Sequence, residues 1–175
     1  MNTYSFDTSE LEKYIPSLSA GDEVLLSGTV YTARDAAHKR IVSLIEKGET
    51  LPFDMNGAVI YYAGPTPERD GRPIGSCGPT TSTRMDVFSP LLMEHGLLGM
   101  IGKGPRKLPV IDAIVKHGAV YFCAIGGAGA LAAKCITNCE VIAFPELGCE
   151  SVKRLEFRDF PLVVGIDGRG NTIFK

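Results

Sequence analysis

Short apolar runs and helical apolar spacings follow one another along this chain, and their order predicts the secondary structure. Runs of apolar residues bounded by Gly, Pro or charged residues are typical of strands, whereas apolar residues three or four positions apart are typical of helices. The first pattern predicts strands at residues 23–31 (interrupted by Gly28), 58–62, 97–101, 119–125, 141–144, 152–157, 162–166 and 172–174. The second predicts helices at residues 35–47, 85–95, 109–117 and 128–137.

The first predicted helix, residues 35–47, has clear start and stop signals. Asp35 is its expected N-cap and Gly48 follows its end, and its apolar stripe consists of Ala37, Ile41, Leu44 and Ile45. Strands and helices alternate in the middle of the chain, whereas both ends are rich in strands. This order predicts an α/β fold with a mixed sheet rather than a purely parallel, doubly wound one.

No repeat, linker or low-complexity segment divides the sequence. A chain of 175 residues is long enough to build a core without disulfides or structural metal. We therefore expect a single domain over residues 1–175.

The segment 75–86 carries the strongest chemical signal in the sequence. It reads Gly-Ser-Cys-Gly-Pro-Thr-Thr-Ser-Thr-Arg-Met-Asp and ends a Gly/Pro-rich stretch that is too long for a plain connection. Backbone N–H groups, hydroxyls and a guanidinium ahead of a helix favour a bound carboxylate or phosphate. Arg84 can hold a carboxylate through two hydrogen bonds, with Thr80 and Thr81 beside it. Helix capping alone is the other explanation for hydroxyls at this place.

Other residues are predicted to join this segment at one edge of the sheet. Arg34, Lys103 and the pair Gly126-Gly127 each lie where a predicted strand gives way to a helix. The carboxyl ends of strands in α/β proteins meet at one edge, where ligands bind. Arg34, Arg84 and Lys103 would concentrate positive charge there, which suits a small dianion.

Composition excludes several classes of partner. The net charge is −2 and no run of basic residues occurs, so nucleic acid and anionic membranes are not expected partners. No apolar run approaches the roughly 20 residues that a bilayer requires. The first residues lack the basic and apolar regions of a signal peptide, and we expect a cytoplasmic protein.

The five cysteines, at positions 77, 123, 135, 139 and 149, show no disulfide pattern. Cys135, Cys139 and Cys149 leave a metal or iron–sulfur site open as an alternative. A four-residue step also places two small side chains on one face of a helix, which explains Cys135 and Cys139 without a metal.

A glycine motif offers a second alternative. Residues 127–132, Gly-Ala-Gly-Ala-Leu-Ala, match the dinucleotide-binding pattern GxGxxA after an apolar strand. The pattern should sit in a βαβαβ unit, and short strands follow it instead. The hypothesis of a nicotinamide-dependent oxidoreductase therefore rests on this motif alone.

Four ordered motifs give the chain a family resemblance. They are residues 33–40 (Ala-Arg-Asp-Ala-Ala-His-Lys-Arg), 78–86, 102–104 (Gly-Lys-Gly) and 126–134 (Gly-Gly-Ala-Gly-Ala-Leu-Ala-Ala-Lys), and the tail 157–171 fits as well. In order and spacing they resemble the β subunit of class I iron–sulfur fumarate hydratase, a pattern that the L-tartrate dehydratase β subunit shares. The resemblance covers nearly the whole chain.

The resemblance implies a fold, a reaction and a set of site residues. The fold would be of the swivelling β/β/α type, like the C-terminal domain of class I fumarases. The reaction would be the reversible hydration of fumarate to L-malate by a hydro-lyase. Its [4Fe–4S] cluster would be bound by three cysteines of a separate α subunit, so that no residue of this chain is a metal ligand. The substrate-binding positions correspond to Arg34, Thr80, Thr81, Arg84 and Lys103, and His38 lies within the first motif, where an outward-facing polar side chain is equally expected.

This chemistry needs cations and a proton carrier. Hydration builds negative charge on a carboxylate of the substrate, which Arg34, Arg84 and Lys103 would stabilise. The open iron of the partner would act as a Lewis acid. The catalytic proton carrier would be Thr80 or Thr81, or else a carboxylate of the α subunit, with both threonines only hydrogen-bonding the substrate.

On this interpretation the chain carries half of an active site. It would pair with an α subunit, as a dimer of heterodimers. The anion-holding residues would serve fumarate, tartrate and mesaconate alike, so L-tartrate dehydratase and mesaconase stay open as alternatives. A stand-alone anion-binding module without chemistry of its own is the alternative from another class.

Overall fold

A closed sheet of mixed direction organises the protein. The computed structural model describes residues 1–124 and 129–175. Its strands are β1 (Thr3–Asp7), β2 (Glu23–Thr32), β3 (Val59–Tyr61), β4 (Gly99–Gly102), β5 (Val120–Cys123), β6 (Ile136–Ala143) and β7 (Val152–Ile166). Its α-helices are α1 (Leu11–Tyr14), α2 (Asp35–Glu46), α3 (Ser89–Glu94), α4 (Leu108–His117) and α5 (Gly129–Lys134), with short 3-10 helices at Thr8–Glu10, Ile15–Ser17, Ser82–Met85 and Pro145–Glu150.

The long strand β7 closes the sheet into a barrel-like ring. Strands β2, β3, β4 and β5 are parallel neighbours. Strand β7 then pairs antiparallel with β5 at one end of this row and with β2 at the other. Strand β1 adds parallel to β2, and β6 adds antiparallel to β7. The predicted α/β class with a mixed sheet is confirmed.

Both faces of the central strands are buried, in two separate cores. Tyr61, Ile101 and Phe122 belong to the core inside the ring, together with aromatic residues of β7. Their neighbours along the strands point to the second core, where α2, α3 and α4 pack: Ile60, Met100 and Tyr121. Burial on both faces explains why these strands are nearly continuous apolar runs in the sequence.

The predicted helix at residues 85–95 is wrong in its first half. Ser82–Met85 forms a 3-10 helix and α3 begins only at Ser89, with Pro90 in its first turn. Proline is accepted in a first turn but not inside a helix, so it separates the two elements. The Ser89 hydroxyl donates to the Met85 carbonyl at the break.

The predicted helix at residues 128–137 ends earlier than expected, and a strand replaces its end. Helix α5 stops at Lys134, and β6 runs over eight residues, twice the predicted length. Cys135 follows the helix and Cys139 lies in β6, so the two do not share a helix face. Pairing with β7 outweighs the weak helical pattern here. Ala128 lies outside the described residues.

Both ends of the chain also differ from the prediction. Strand β1 was not predicted, and β7 is one continuous strand of 15 residues instead of two. The predicted strand at 172–174 is only a single bridge between Thr172 and Ile166. Strand β2 continues through Gly28, where a bulge with φ of +100° keeps the chain paired. Asp35 is the first helical residue, and Arg34 holds the N-cap position instead.

Candidate functional site

Parallel strands bring the predicted site residues to one edge of the sheet. Arg34 follows the carboxyl end of β2, and Lys103 follows that of β4. The long loop after β3 returns to the same edge, because the Thr80 amide donates to the Tyr62 carbonyl at 2.7 Å. Thr81 forms a parallel bridge with Lys103 there. We call this surface the cationic edge; it consists of Arg34, Thr80, Thr81, Arg84 and Lys103. Gly126 and Gly127 lie outside the described residues.

Arg84 connects two parts of the cationic edge. Its Nη2 donates to Thr80 Oγ1 at 2.6 Å and lies 3.5 Å from Asp35 Oδ2. Asp35 is the next residue after Arg34, so Arg34 and Arg84 lie on the same side of the molecule. The Arg84 side chain is 49% exposed, which leaves donors of its guanidinium facing solvent.

Arg34 is held in place without a charge partner among the described residues. It is half-buried at the N-cap of α2, and its Nε is buried without a hydrogen-bond partner in that part of the chain. Gly64 makes room for the guanidinium, since a Cβ at Gly64 would lie 2.8 Å from Arg34 Nη1. An unpaired, partly buried cation is costly, and a bound anion would offset that cost.

The charges of the cationic edge do not cancel. Arg34, Arg84 and Lys103 are positive, and Asp35 is the carboxylate that contacts them among the described residues. Lys103 is exposed and makes no ion pair there. The remaining positive charge, beside the Thr80 and Thr81 hydroxyls, is suited to a small dianion.

His38 is buried under the cationic edge, which corrects the expected outward-facing side chain. Its Nδ1 lies 2.8 Å from the Arg34 carbonyl, and its ring stacks on Phe88 and meets the edge of Tyr62. Burial lowers the pKa of His38 to about 4, and the nearby Arg106 adds to this. The neutral His38 ring thus supports the Arg34 backbone. The buried face of α2 includes His38 in addition to the predicted apolar stripe.

A buried ion pair close to the site was not predicted. Arg106 Nε donates to Asp86 Oδ1 at 2.6 Å, and its Nη2 donates to Ser89 Oγ at 2.8 Å. Burial alone would lower the pKa of Arg106, but Tyr62 and Asp86 raise it, so the guanidinium stays charged. Arg106 and Asp86 are 20 residues apart and in no common pattern, so the sequence carried no signal of their contact.

The two other site hypotheses gain no support from the geometry. Among residues 1–124 and 129–175, no three His, Cys, Asp or Glu side chains converge as metal ligands would. Gly129 opens a helix of only six residues, and the next strand, β6, is antiparallel to β7 instead of part of a βαβ unit. In the same part of the chain, no helix is both long and apolar enough to cross a membrane.

Comparison with known proteins gives one consistent result. A family model described as "Fumarase C-terminus" matches residues 2–175. The chain is 43% identical to "Fumarate hydratase class I, anaerobic" of Escherichia coli strain K12 over 152 residues, which are 86% of this chain and 28% of that protein. It is 40% identical to "Fumarate hydratase 2" of Leishmania major over 168 residues, which are 95% of this chain and 30% of that protein.

A third relative has a similar length. The chain is 39% identical over 170 residues to "Putative L(+)-tartrate dehydratase subunit beta" of Methanocaldococcus jannaschii, covering 94% of this chain and 87% of that protein. The chain therefore spans less than a third of each fumarate hydratase and most of this relative.

Proposed function

Because this chain belongs to the fumarase C-terminal family, we propose that it is the β-type part of a hydro-lyase. The reaction is the reversible hydration of fumarate to L-malate, and this chain contributes the half of the active site that binds the substrate carboxylates. One observation carries the proposal: Arg34, Arg84 and Lys103 lie at one edge of the sheet with more positive charge than Asp35 neutralises.

The cationic edge fits a four-carbon dicarboxylate for electrostatic reasons. Arg84, which contacts Asp35, and Arg34, the residue before Asp35, offer donors to one carboxylate, and Lys103 supplies a point charge for the other. Negative charge grows on a carboxylate when the adjacent carbon loses its proton. Cations fixed in place before the reaction stabilise that charge more than they stabilise the ground state, and this lowers the barrier.

Thr80 is the better of the two candidate proton carriers within this chain. Arg84 donates to Thr80 Oγ1, so a positive charge faces that alcohol and favours its deprotonated form. Thr81 is exposed and makes no such contact in the described residues. A carboxylate of the partner stays the alternative carrier, in which case both threonines only bind the substrate.

The cofactor and the partner follow from the same family membership. Iron–sulfur chemistry is implied, but the described side chains offer no set of three ligands, so they do not fit a cluster. We therefore assign the [4Fe–4S] cluster to an α-type partner and derive no step through it. The similarity to a protein named as a β subunit supports an α subunit as the partner, and we propose a dimer of heterodimers.

L-Tartrate dehydratase is the second candidate, and the 39% identity to the relative of that name favours it. Mesaconate would be held by the same cations. The decisive experiment is anaerobic reconstitution with a candidate α chain, followed by assays on fumarate, both tartrate enantiomers and mesaconate. We expect turnover of one of these dicarboxylates.

The matched variants are Arg84→Met and Arg40→Met. Arg84 belongs to the cationic edge, whereas Arg40 pairs with Glu146 at an exposed position. We expect Arg84→Met to lower kcat/KM at least about 10²-fold and Arg40→Met to leave it unchanged. Equal activity of the two reconstituted variants would contradict the proposed role of the cationic edge.

A further inference from the structure

Besides Arg34, which precedes α2, two separate segments of chain carry the cationic edge. Segment 80–84 holds Thr80, Thr81 and Arg84, and segment 103–107 holds Lys103. Their backbones meet at one hydrogen bond, from the Ser82 amide to the Lys103 carbonyl, at 3.0 Å. Arg84 and Lys103 are both cations and repel each other, so the two segments need further contacts to keep a fixed separation.

Tyr121 supplies one such contact from below the edge. Its hydroxyl forms hydrogen bonds with the Ser82 hydroxyl and with the Gly104 carbonyl, each at 2.8 Å. Ser82 is two residues before Arg84, and Gly104 directly follows Lys103. One buried phenol therefore bonds to both segments at once. Burial raises the pKa of Tyr121, so it keeps its proton and the contact is neutral.

Arg106 supplies the second contact, between segment 103–107 and the residue Asp86 just after segment 80–84. It lies three residues after Lys103, and its partner Asp86 lies two residues after Arg84. The second oxygen of Asp86 accepts from the Lys107 amide at 2.7 Å. The guanidinium also packs on the Tyr121 ring, 4.9 Å from its centroid.

The Asp86–Arg106 pair has an electrostatic consequence for the site. Both oxygens of the Asp86 carboxylate are engaged by segment 103–107, and the carboxylate is buried. It therefore does not neutralise Arg84, which is two residues away in the sequence. The cations that face solvent keep their charge for a ligand.

We infer that Tyr121 and Arg106 are positioning residues, which fix the separation of Arg84 and Lys103 at the cationic edge. Neither reaches the edge itself, since Arg106 is buried and the Tyr121 hydroxyl is used by Ser82 and Gly104. The inference rests on the proposed function, because it assigns to these residues a role in binding the dicarboxylate.

The kinetic test compares two buried tyrosine hydroxyls in the reconstituted enzyme. Tyr121→Phe removes the contact between the segments. Tyr61→Phe is the matched control, because the Tyr61 hydroxyl is also buried and donates to a carbonyl, that of Cys77, at 2.6 Å. Tyr121→Phe loses two hydrogen bonds and Tyr61→Phe loses one, so both should lose stability in urea, with the larger loss in Tyr121→Phe. Only Tyr121→Phe should raise the KM of the dicarboxylate, by about 10-fold, because only this variant releases segment 80–84 from segment 103–107.

A second variant tests the ion pair. Arg106→Lys keeps a positive charge for Asp86 but cannot also reach Ser89 and Tyr62 as the guanidinium does. We expect a KM higher than that of the wild type with a smaller change in kcat. Unchanged kcat and KM, with only a loss of stability in urea, would overturn the positioning role.

Hydrogen exchange on the chain by itself gives a readout that does not depend on turnover. The Ser82 amide reports the contact between the segments, because it donates to the Lys103 carbonyl. We expect about 10-fold faster exchange of this amide in Tyr121→Phe and no change in Tyr61→Phe.

The two readouts separate the two claims. If the wild-type enzyme turns over no four-carbon dicarboxylate, the proposed function fails, and the Ser82 exchange rate alone decides whether Tyr121 joins the segments. If the enzyme is active but Tyr121→Phe and Tyr61→Phe have the same KM, the positioning role is wrong. Unchanged exchange in Tyr121→Phe also overturns it.

Discussion

At the scale of single residues, the surroundings of Arg34 at the cationic edge cost stability. Arg34 has a buried Nε without a partner among the described residues, and Gly64 leaves space for its guanidinium. A residue selected only for stability would not hold a charge in this way. The same arrangement leaves the guanidinium free to meet an anion.

Replacing Arg34 should therefore separate stability from activity. We expect Arg34→Met to leave the free energy of unfolding unchanged or to raise it by up to about 1 kcal/mol, because an unpaired charge is removed. Activity of the reconstituted enzyme should fall at least about 10²-fold. Urea denaturation and kinetics check the two parts, and a loss of more than about 2 kcal/mol of stability would show that Arg34 is a structural residue.

His38 gives the protein a defined response to acid. The pKa of His38 is about 4 in the folded protein, below the ordinary value of 6.5, because burial disfavours its charged form. The folded state then binds fewer protons than the unfolded state between these two pKa values. The stabilising contribution is complete above pH 6.5 and is lost as the pH falls toward 4.

The His38 effect can be measured by urea denaturation at pH 7 and pH 5. We expect wild-type protein to lose about 2 kcal/mol of unfolding free energy between these pH values through His38. His38→Phe should lack this part of the loss. His95→Gln, at an exposed position, should keep it. An identical loss in all three proteins would contradict the low pKa of His38.

At the scale of elements, the site depends on close packing of a short helix on a strand. The 3-10 helix at Ser82–Met85 lies against the end of β4, where Gly102 has no side chain. A Cβ at Gly102 would collide with Ser82 Oγ and lie 2.8 Å from Tyr62 Cδ2. Only glycine lets the segment that carries Arg84 approach the strand that leads to Lys103.

Gly102→Ala should therefore disturb the site as well as the fold. We expect a loss of about 1–3 kcal/mol of stability from overpacking, with a raised KM in the reconstituted enzyme. Gly99→Ala is the control in the same strand, since its Cβ would lie 3.0 Å from side-chain atoms of Leu11 and Val59, away from the site. Gly99→Ala should lower the stability of the protein without changing KM. The opposite pattern, a KM effect of Gly99→Ala alone, would contradict this account.

At the scale of the whole molecule, contacts between distant parts of the chain hold the ring closed. Strand β7 pairs with β2 across more than 120 residues of sequence. Just after β7, the buried Asp167 accepts hydrogen bonds from the amides of Ala20, Arg169 and Asn171. Burial by itself would raise the pKa of Asp167, but the hydrogen bonds from Asn171, Ala20 and Arg169 lower it below its ordinary value.

Asp167→Asn should weaken this closure without touching the cationic edge. The side-chain NH₂ of the new asparagine would face backbone N–H groups that need an acceptor. We therefore expect a loss of about 2–3 kcal/mol of unfolding free energy in urea denaturation near pH 7. The lowered pKa of Asp167 stabilises the fold in full only above the pKa of the unfolded carboxyl group. The difference in unfolding free energy between wild type and Asp167→Asn should therefore shrink as the pH falls toward 3. Asp112→Asn, at an exposed position of α4, should change stability by less than about 0.5 kcal/mol.

Local patterns in the sequence determined the alternation of strands and helices and the motifs of the family. They also placed Arg34 and Lys103 after the ends of predicted strands and the segment 80–84 between a long loop and a predicted helix, and the parallel order of β2, β3 and β4 brings these to one edge. Such features follow from the sequence because they depend on residues close to one another along the chain. The roles of these residues in binding stay predictions.

Tertiary structure alone decided the remaining features. Residues 136 and 137 belong to a strand because β7 pairs with this segment, although they lie within the predicted helix 128–137. His38 is buried because Phe88 and Tyr62, from other elements, cover it, and Asp86 meets Arg106 because two loops converge. In each case the stabilising free energy comes from contacts between residues far apart in the chain. These residues are brought into register only when the ring closes.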